Sequence, residues 1–278
     1  MDNIDPAELR RKVENLHALP TIPSMLKQIL GVIEDPKTSL KEISRFVSND
    51  PALTLKILKM VNSPVYGFPG RISSVSQGVV LLGLNVVKGL LLGISVFDLM
   101  QKAMIGLWEH SLGCSVAARV LAKKKGVKEF EDVSIAALLH DLGKVILILQ
   151  YQDQYNAIMS EAQSKGILIY EAEKELIGVT HADVAIWMTR KWSFPSNLVD
   201  VIGNHHRPGV SRSTAMDTAI VHFSDILIRT RGLGFAGDPL VPAVNTAAWR
   251  LLDLSDHDIR EILKETEDGM EASADLFQ

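Results

Sequence analysis

Apolar residues recur at three- and four-residue intervals from one end of the chain to the other, and no segment shows the strict alternation of a half-buried strand. The pattern predicts an all-α protein built from short amphipathic helices. Asp5 and Pro6 read as cap and first residue of a helix over AELRRKVENLHAL. Ser39 and Glu42 have capping-box spacing ahead of Ile43, Phe46 and Val47. Asp50 and Pro51 restart the chain into ALTLKILKMVN, which the turn Asn62-Ser63-Pro64 is expected to stop. The most apolar stretch, Val79 to Met100, carries Asn85, Lys88, Asp98 and three glycines. It reads as a buried core helix or helix pair rather than a bilayer span.

After Gln101 to Gly106 a second series of helical patterns begins with LWEHSLGCSVAARVLAKKKG, VSIAALLHDLGKVILILQ and YQDQYNAIMSEAQSKG. It continues through YEAEKELIG, HADVAIWMTRKW, NLVDVIGNHH and TAIVHFSDILIRTRG. The expected organisation is a helical N-terminal lobe over residues 1–100, packed on a second helical lobe over residues 101–263. An acidic, weakly periodic tail over 264–278 is expected to fray. A chain of 278 residues can bury one large core or two packed ones.

Composition narrows the function classes. A net charge of −4 gives no overall attraction to polyphosphate, so nucleic acid is a poor partner. The basic clusters Arg10 to Lys12 and Lys123 to Lys125 read as solvated helix faces. One cysteine, Cys114, cannot form an internal disulfide, and the N-terminus is acidic and polar where a secretory leader would be basic and then apolar. Both fit a cytoplasmic protein with no membrane association. No GxxxxGK[ST] loop, GxGxxG turn or GxSxG elbow is present.

The candidate chemistry lies in the second series: His110, the pair His140-Asp141, His181, the pair His205-His206, and Asp225. Imidazole nitrogens and carboxylate oxygens suit iron, manganese, nickel or zinc, and one carboxylate can bridge two ions. Each residue also has a structural reading. Asp225 sits among apolar neighbours with Arg229 one turn on as an ion-pair partner. Asp141 follows the apolar run Ile135 to Leu139 and needs a cation, a donor network or a metal if buried. Lys144 could pair with it or hold a phosphate. His110 shares a helix face with Cys114, itself read as a small buried hydrophobe, and His181 could be a capping or surface histidine. Arranged in this order along the chain, the seven residues point instead to a mono- or dinuclear metal site.

The segments LPTIPSMLKQILGVIEDP, SNDPALTLKILKMVNSPVYG and ISSVSQGVVLLGLNVVKGLLL resemble the N-terminal half of an HDOD domain, the HD-related output domain of bacterial signalling proteins. LLHDLGKVIL, GVTHADVAIWM and VIGNHHRPG resemble its second half, so the likeness runs from Leu19 to Gly209. The resemblance implies an all-helical fold of the HD superfamily, whose kin include metal-dependent phosphohydrolases and HD-GYP cyclic-dinucleotide phosphodiesterases. HDOD domains are regarded as regulatory and often lack metal ligands, whereas this chain has a candidate at every position. By analogy with dinuclear relatives, His110, His140, Asp141 and Asp225 would hold one ion. Asp141 as the bridge, with His181, His205 and His206, would hold the second. Asp141 and Lys144 are then the catalytic candidates, Lys144 contacting a substrate phosphate. The chain reads RPGVSRST where HD-GYP proteins continue through Gly-Tyr-Pro, which argues against their activity. The implied function is a signalling module that binds a partner protein or nucleotide-like ligand, with a homodimer as a further expectation. The alternative is a metal-dependent phosphohydrolase acting on a nucleotide or cyclic dinucleotide, and a redox di-metal centre is a minor variant.

Overall fold

The computed structural model describes residues 4–15, 24–35, 37–62 and 72–271. The predicted Ser63-Pro64 turn, the last residues of the first predicted helix and the final seven residues of the tail lie outside them. The protein is all-α: sixteen α-helices and no strand occur among the described residues.

Local capping chemistry sets the helix starts. Asp5 accepts from the Ala7 amide to open α1 (Pro6–Glu14), and Ser39 and Glu42 form the expected capping box at α3 (Leu40–Ser48). α1 is shorter than its apolar pattern suggested, because Asn15 caps it and turns its side-chain amide back to the Arg11 carbonyl. α2 (Ser24–Glu34) ends where buried Lys88 donates to the Ile33 carbonyl at 2.9 Å, a cation serving an otherwise orphaned helix terminus. At the end of α4 (Pro51–Val61), Asn62 exchanges two hydrogen bonds with the backbone of Ile72.

The long apolar stretch is a bent pair, α5 (Val75–Leu82) and α6 (Leu84–Ala103). Gly83, at φ 81°, supplies a left-handed turn between helices that meet at 118°. No single helix among the described residues is long and apolar enough to cross a membrane, although this bent pair has the length and composition of a broken span. α6 is the common wall of the molecule. α2, α4 and α5 pack on one part of it, while α7 (Leu107–Lys124), α8 (Phe130–Leu139) and α9 (Leu142–Gln150) pack on another. One contiguous apolar cluster runs through both groups.

Two departures from the sequence reading affect the periphery. α1 docks against α12 (His181–Lys191), deep in the second series, with Lys12 reaching the Tyr151 hydroxyl at 3.2 Å. The acidic segment expected to fray from Lys264 is helical as far as Glu271, as part of α16 (Asp256–Glu271). Ile262 and Thr266 of α16 are buried and the helix packs on α7, where Lys124 pairs with Asp258 and Glu261, both at 2.8 Å. Within the segment from Lys264 itself, buried Thr266 and the pairing of Glu267 with Arg231 supply the tertiary contact that its weak periodicity alone would not.

Candidate metal centre

The predicted single helix over VSIAALLHDLGKVILILQ is two helices, α8 and α9, broken at His140-Asp141. The break matters because adjacent residues of an unbroken helix point about 100° apart. Asp141 stands at the N-cap position of α9 without capping it, so its carboxylate is free to face inward. α7 contributes His110, the start of α12 contributes His181, and α14 (Ala215–Thr230) contributes Asp225. His205 and His206 follow α13 (Ser196–Asn204), where the chain leaves the helix toward a 3-10 turn at Pro208–Val210. All seven sequence candidates therefore meet in one place, six of them buried and His206 half-buried.

Their donor atoms form two adjoining groups. One comprises His110, Cys114, His140 and Asp225; the other comprises Asp141, His181, His205 and His206, with the atoms of each group within 4.8 Å of one another. Asp141 straddles them. Its Oδ2 lies 3.4 Å from His140 Nε2 and 3.7 Å from His110 Nε2, and its Oδ1 lies 3.2 Å from His181 Nε2. His206 Nε2 stands 2.9 Å from His181 Nε2. Cys114, read from sequence as an inert hydrophobe, places its sulfur 3.5 Å from His110 Nε2, although burial pushes its thiol well above the usual range.

Outer contacts fix how the imidazoles present themselves. His140 Nδ1 lies 2.6 Å from the Ala137 carbonyl and His205 Nδ1 lies 2.6 Å from the Ile202 carbonyl. His181 Nδ1 lies 2.7 Å from Glu173 Oε2. With Nδ1 donating in each case, Nε2 turns a lone pair toward the centre. Glu173, on α11 (Ile169–Ile177), is fully buried and also accepts from the His181 amide at 2.8 Å and the Tyr155 hydroxyl at 2.6 Å. Such a carboxylate behind a histidine is a common support for a metal ligand. The signal for it was present in the sequence: Glu173 shares the 169, 172, 173, 177 face with Ile169, Ala172 and Ile177. His222 is a further support, with Nδ1 2.8 Å from the His205 carbonyl and Nε2 accepting from the Asn245 amide.

Both carboxylates carry an internal cation. Lys144, 1% exposed, donates to Asp141 Oδ2 at 2.6 Å and to the Ala236 carbonyl at 2.8 Å. Arg229 Nε lies 3.1 Å from Asp225 Oδ1, the pairing that the i+4 spacing suggested. The Ala236 carbonyl belongs to a strap that follows α14. The strap is tied down by the Phe235 amide, which donates a hydrogen bond to the Gly106 carbonyl, and by Asp238, which accepts from the Ile169 amide and from Arg229.

Hydrogen-bond accounting separates a metal centre from a closed polar network. His140 Nε2, His205 Nε2, Asp141 Oδ1 and Asp225 Oδ1 are all buried without a hydrogen-bond partner. The approaches of Asp141 Oδ1 to His181 Nε2 and of Asp225 Oδ1 to His110 Nε2, both 3.2 Å, and of His140 Nε2 to Asp141 Oδ2, at 3.4 Å, lack hydrogen-bond alignment. Buried groups left this way are costly, and a cation shared among them removes the cost. Bond lengths of about 2.0–2.2 Å to nitrogen and oxygen would require donor atoms gathered within a few ångströms of one another, as those of each group are. The residues fit a metal site.

Charge reinforces the picture. Burial pushes the Asp141 carboxyl up, but His140, Lys144 and His181 outweigh it and hold the group well below the usual carboxylate range. Burial likewise opposes ionisation of Asp225, and His110 and Arg229 overcome it. Burial holds His205 and His206 well below the ordinary histidine value, with neighbouring imidazoles adding to the effect, and lowers His110. In His140 burial is outweighed by Asp141, and its value rises. For the five lowered groups the unfolded chain binds protons first, so their stability contribution is present above the unfolded values and lost as pH falls. His140 acts in the opposite sense. The urea midpoint of metal-free protein is therefore expected to drop from about pH 7.5 to about pH 6, and further by about pH 4.5 as the carboxylates titrate. Equal midpoints at the two higher values would show that these histidines protonate as easily folded as unfolded.

The family model of the HDOD domain matches residues 19–208 of this chain. The chain belongs to the HDOD family. A similar solved structure, an HDOD domain protein of unknown function from Geobacter sulfurreducens, is 27% identical with a TM-score of 0.68, covering 97% of this chain and 98% of that one. A candidate phosphohydrolase from Shewanella amazonensis shares the fold at 20% identity and a TM-score of 0.66, covering 97% and 98% of the two chains. Among curated proteins, an uncharacterized protein of Treponema pallidum is 26% identical over 221 residues, 78% of this HDOD chain and 43% of that protein. The chain thus spans less than half the length of the curated relatives it matches.

Proposed function

We propose that this HDOD protein is a signal-transduction module in which a metal centre built from the seven His and Asp residues binds a ligand, and whose ligand state is communicated to a partner protein. The observation that carries the metal part is the gathering, into two adjoining groups of donors, of four buried ligand atoms that lack a hydrogen-bond partner, while the Nδ1 atoms of His140, His181 and His205 are fixed by carbonyls and Glu173. The signalling part is supported by the family and by a structural neighbour from Marinobacter aquaeolei that is described as a candidate signal-transduction protein. A bound transition metal would act as a Lewis acid and lower the pKa of a water it holds. The chain's own residues orient the ligands, keep the interior dry and hold Lys144 ready for an anion.

A second reading, hydrolysis of a phosphoester, is favoured by Lys144, whose buried ammonium lies against the bridging carboxylate where a phosphate oxygen could replace Asp141 as its partner. Metal analysis of untagged protein purified without chelator and without oxygen, followed by a phosphoester panel, tests both. Near-stoichiometric metal without turnover is the expected result. Metal-dependent turnover lost in His206→Ala would transfer the assignment to the hydrolase. Folded protein that neither contains nor takes up metal would overturn the metal centre altogether.

A further inference from the structure

The two halves of the centre are differently prepared for a cation. Among the described residues, Lys144 engages Asp141 only through Oδ2, and no lysine or arginine pairs with Asp141 Oδ1 or with His181, His205 or His206. Oδ1 and His205 Nε2 have no hydrogen-bond partner, and Glu173 braces His181 through its ring and its amide. The other half is occupied by internal charge. Its share of Asp141, the Oδ2 atom facing His110 and His140, is held by Lys144 at 2.6 Å. Its own carboxylate, Asp225, has Arg229 Nε at 3.1 Å. An ion entering there must displace or tolerate two buried cations, and it would also face the ion next door.

We propose that the halves fill in order. One ion binds at Asp141, His181, His205 and His206 at least about tenfold more tightly than a second at His110, His140 and Asp225. The resting centre is accordingly mononuclear, and Lys144 and Arg229 are the residues that keep the second position weak. This inference rests on the metal-binding reading above and adds an order of occupancy to it.

Metal-free protein titrated anaerobically with Co2+, followed by visible absorption and calorimetry, reads the order directly. Two resolved affinities are expected in the wild type. His206→Ala should lose the tight step, and His110→Ala should keep it and lose the weak one. Glu173→Gln, nearly isosteric and so a guard against misfolding of the alanine variants, should loosen the tight step by about ten- to a hundredfold and leave the weak one. Lys144→Met should narrow the gap by strengthening the second step. Two equal affinities, or a tight step that survives His206→Ala and disappears in His110→Ala, would overturn the order while leaving the metal centre standing. Absence of any Co2+ binding by the wild type would overturn both.

Discussion

Asp141→Ala protein is expected to emerge from purification without metal, and to unfold about 3–5 kcal/mol more easily than metal-free wild type. Two separate losses are involved. The carboxylate spans both groups of donors, so removing it deprives each of an oxygen ligand. It is also the anionic partner of Lys144, which is 1% exposed and would be left with only the Ala236 carbonyl. A buried ammonium without its counter-charge is the costly half of a broken ion pair. The second loss can be isolated, because Lys144→Met added to Asp141→Ala removes the stranded charge while leaving the metal defect. Urea denaturation of the metal-free single and double variants should place the double variant closer to wild type. If both unfold at the same midpoint, Lys144 does not depend on Asp141 and the ion pair contributes nothing to the fold.

Gly143→Ala is the second large effect expected, and it acts without touching a ligand. A Cβ at Gly143 would lie 2.0 Å from the His181 carbonyl oxygen, 2.8 Å from its carbonyl carbon and 3.0 Å from its Cα. These are backbone atoms that no rotamer change can move aside, so α9 and α12 must separate. Overpacking of this kind costs about 1–3 kcal/mol. The greater consequence is geometric: α9 begins next to Asp141 and α12 begins with His181, so separating the helices lengthens the 3.2 Å approach of Asp141 Oδ1 to His181 Nε2. The variant should stay helical by circular dichroism yet lose its metal affinity. Wild-type affinity in Gly143→Ala would mean that the two helices can shift apart without opening the centre.

Much of this was legible in the sequence. The caps at Asp5 and Ser39 and the helical periodicity lie in local patterns, and each is found where it was expected; the seven His and Asp residues could be picked out by type and order along the chain, and they gather in space. The break at His140-Asp141 was not legible, because apolar residues on both sides continue the helical pattern through it. Glu173 escaped because acidic and basic neighbours make YEAEKELIG look like a solvated face, although its spacing with Ile169 and Ile177 placed it inward. The docking of α1 on α12 and the persistence of α16 depend on partners distant in sequence, which no window along the chain contains.

Lys144 meets the strap through the Ala236 main-chain carbonyl rather than through a side chain. Sequence comparison among relatives would therefore be blind to this link, since residue type at position 236 could drift without altering the acceptor. Alanine scanning would pass over it for the same reason. Replacing the peptide bond after Ala236 with an ester, which weakens that carbonyl as an acceptor while keeping every side chain, would expose a connection written only in the backbone.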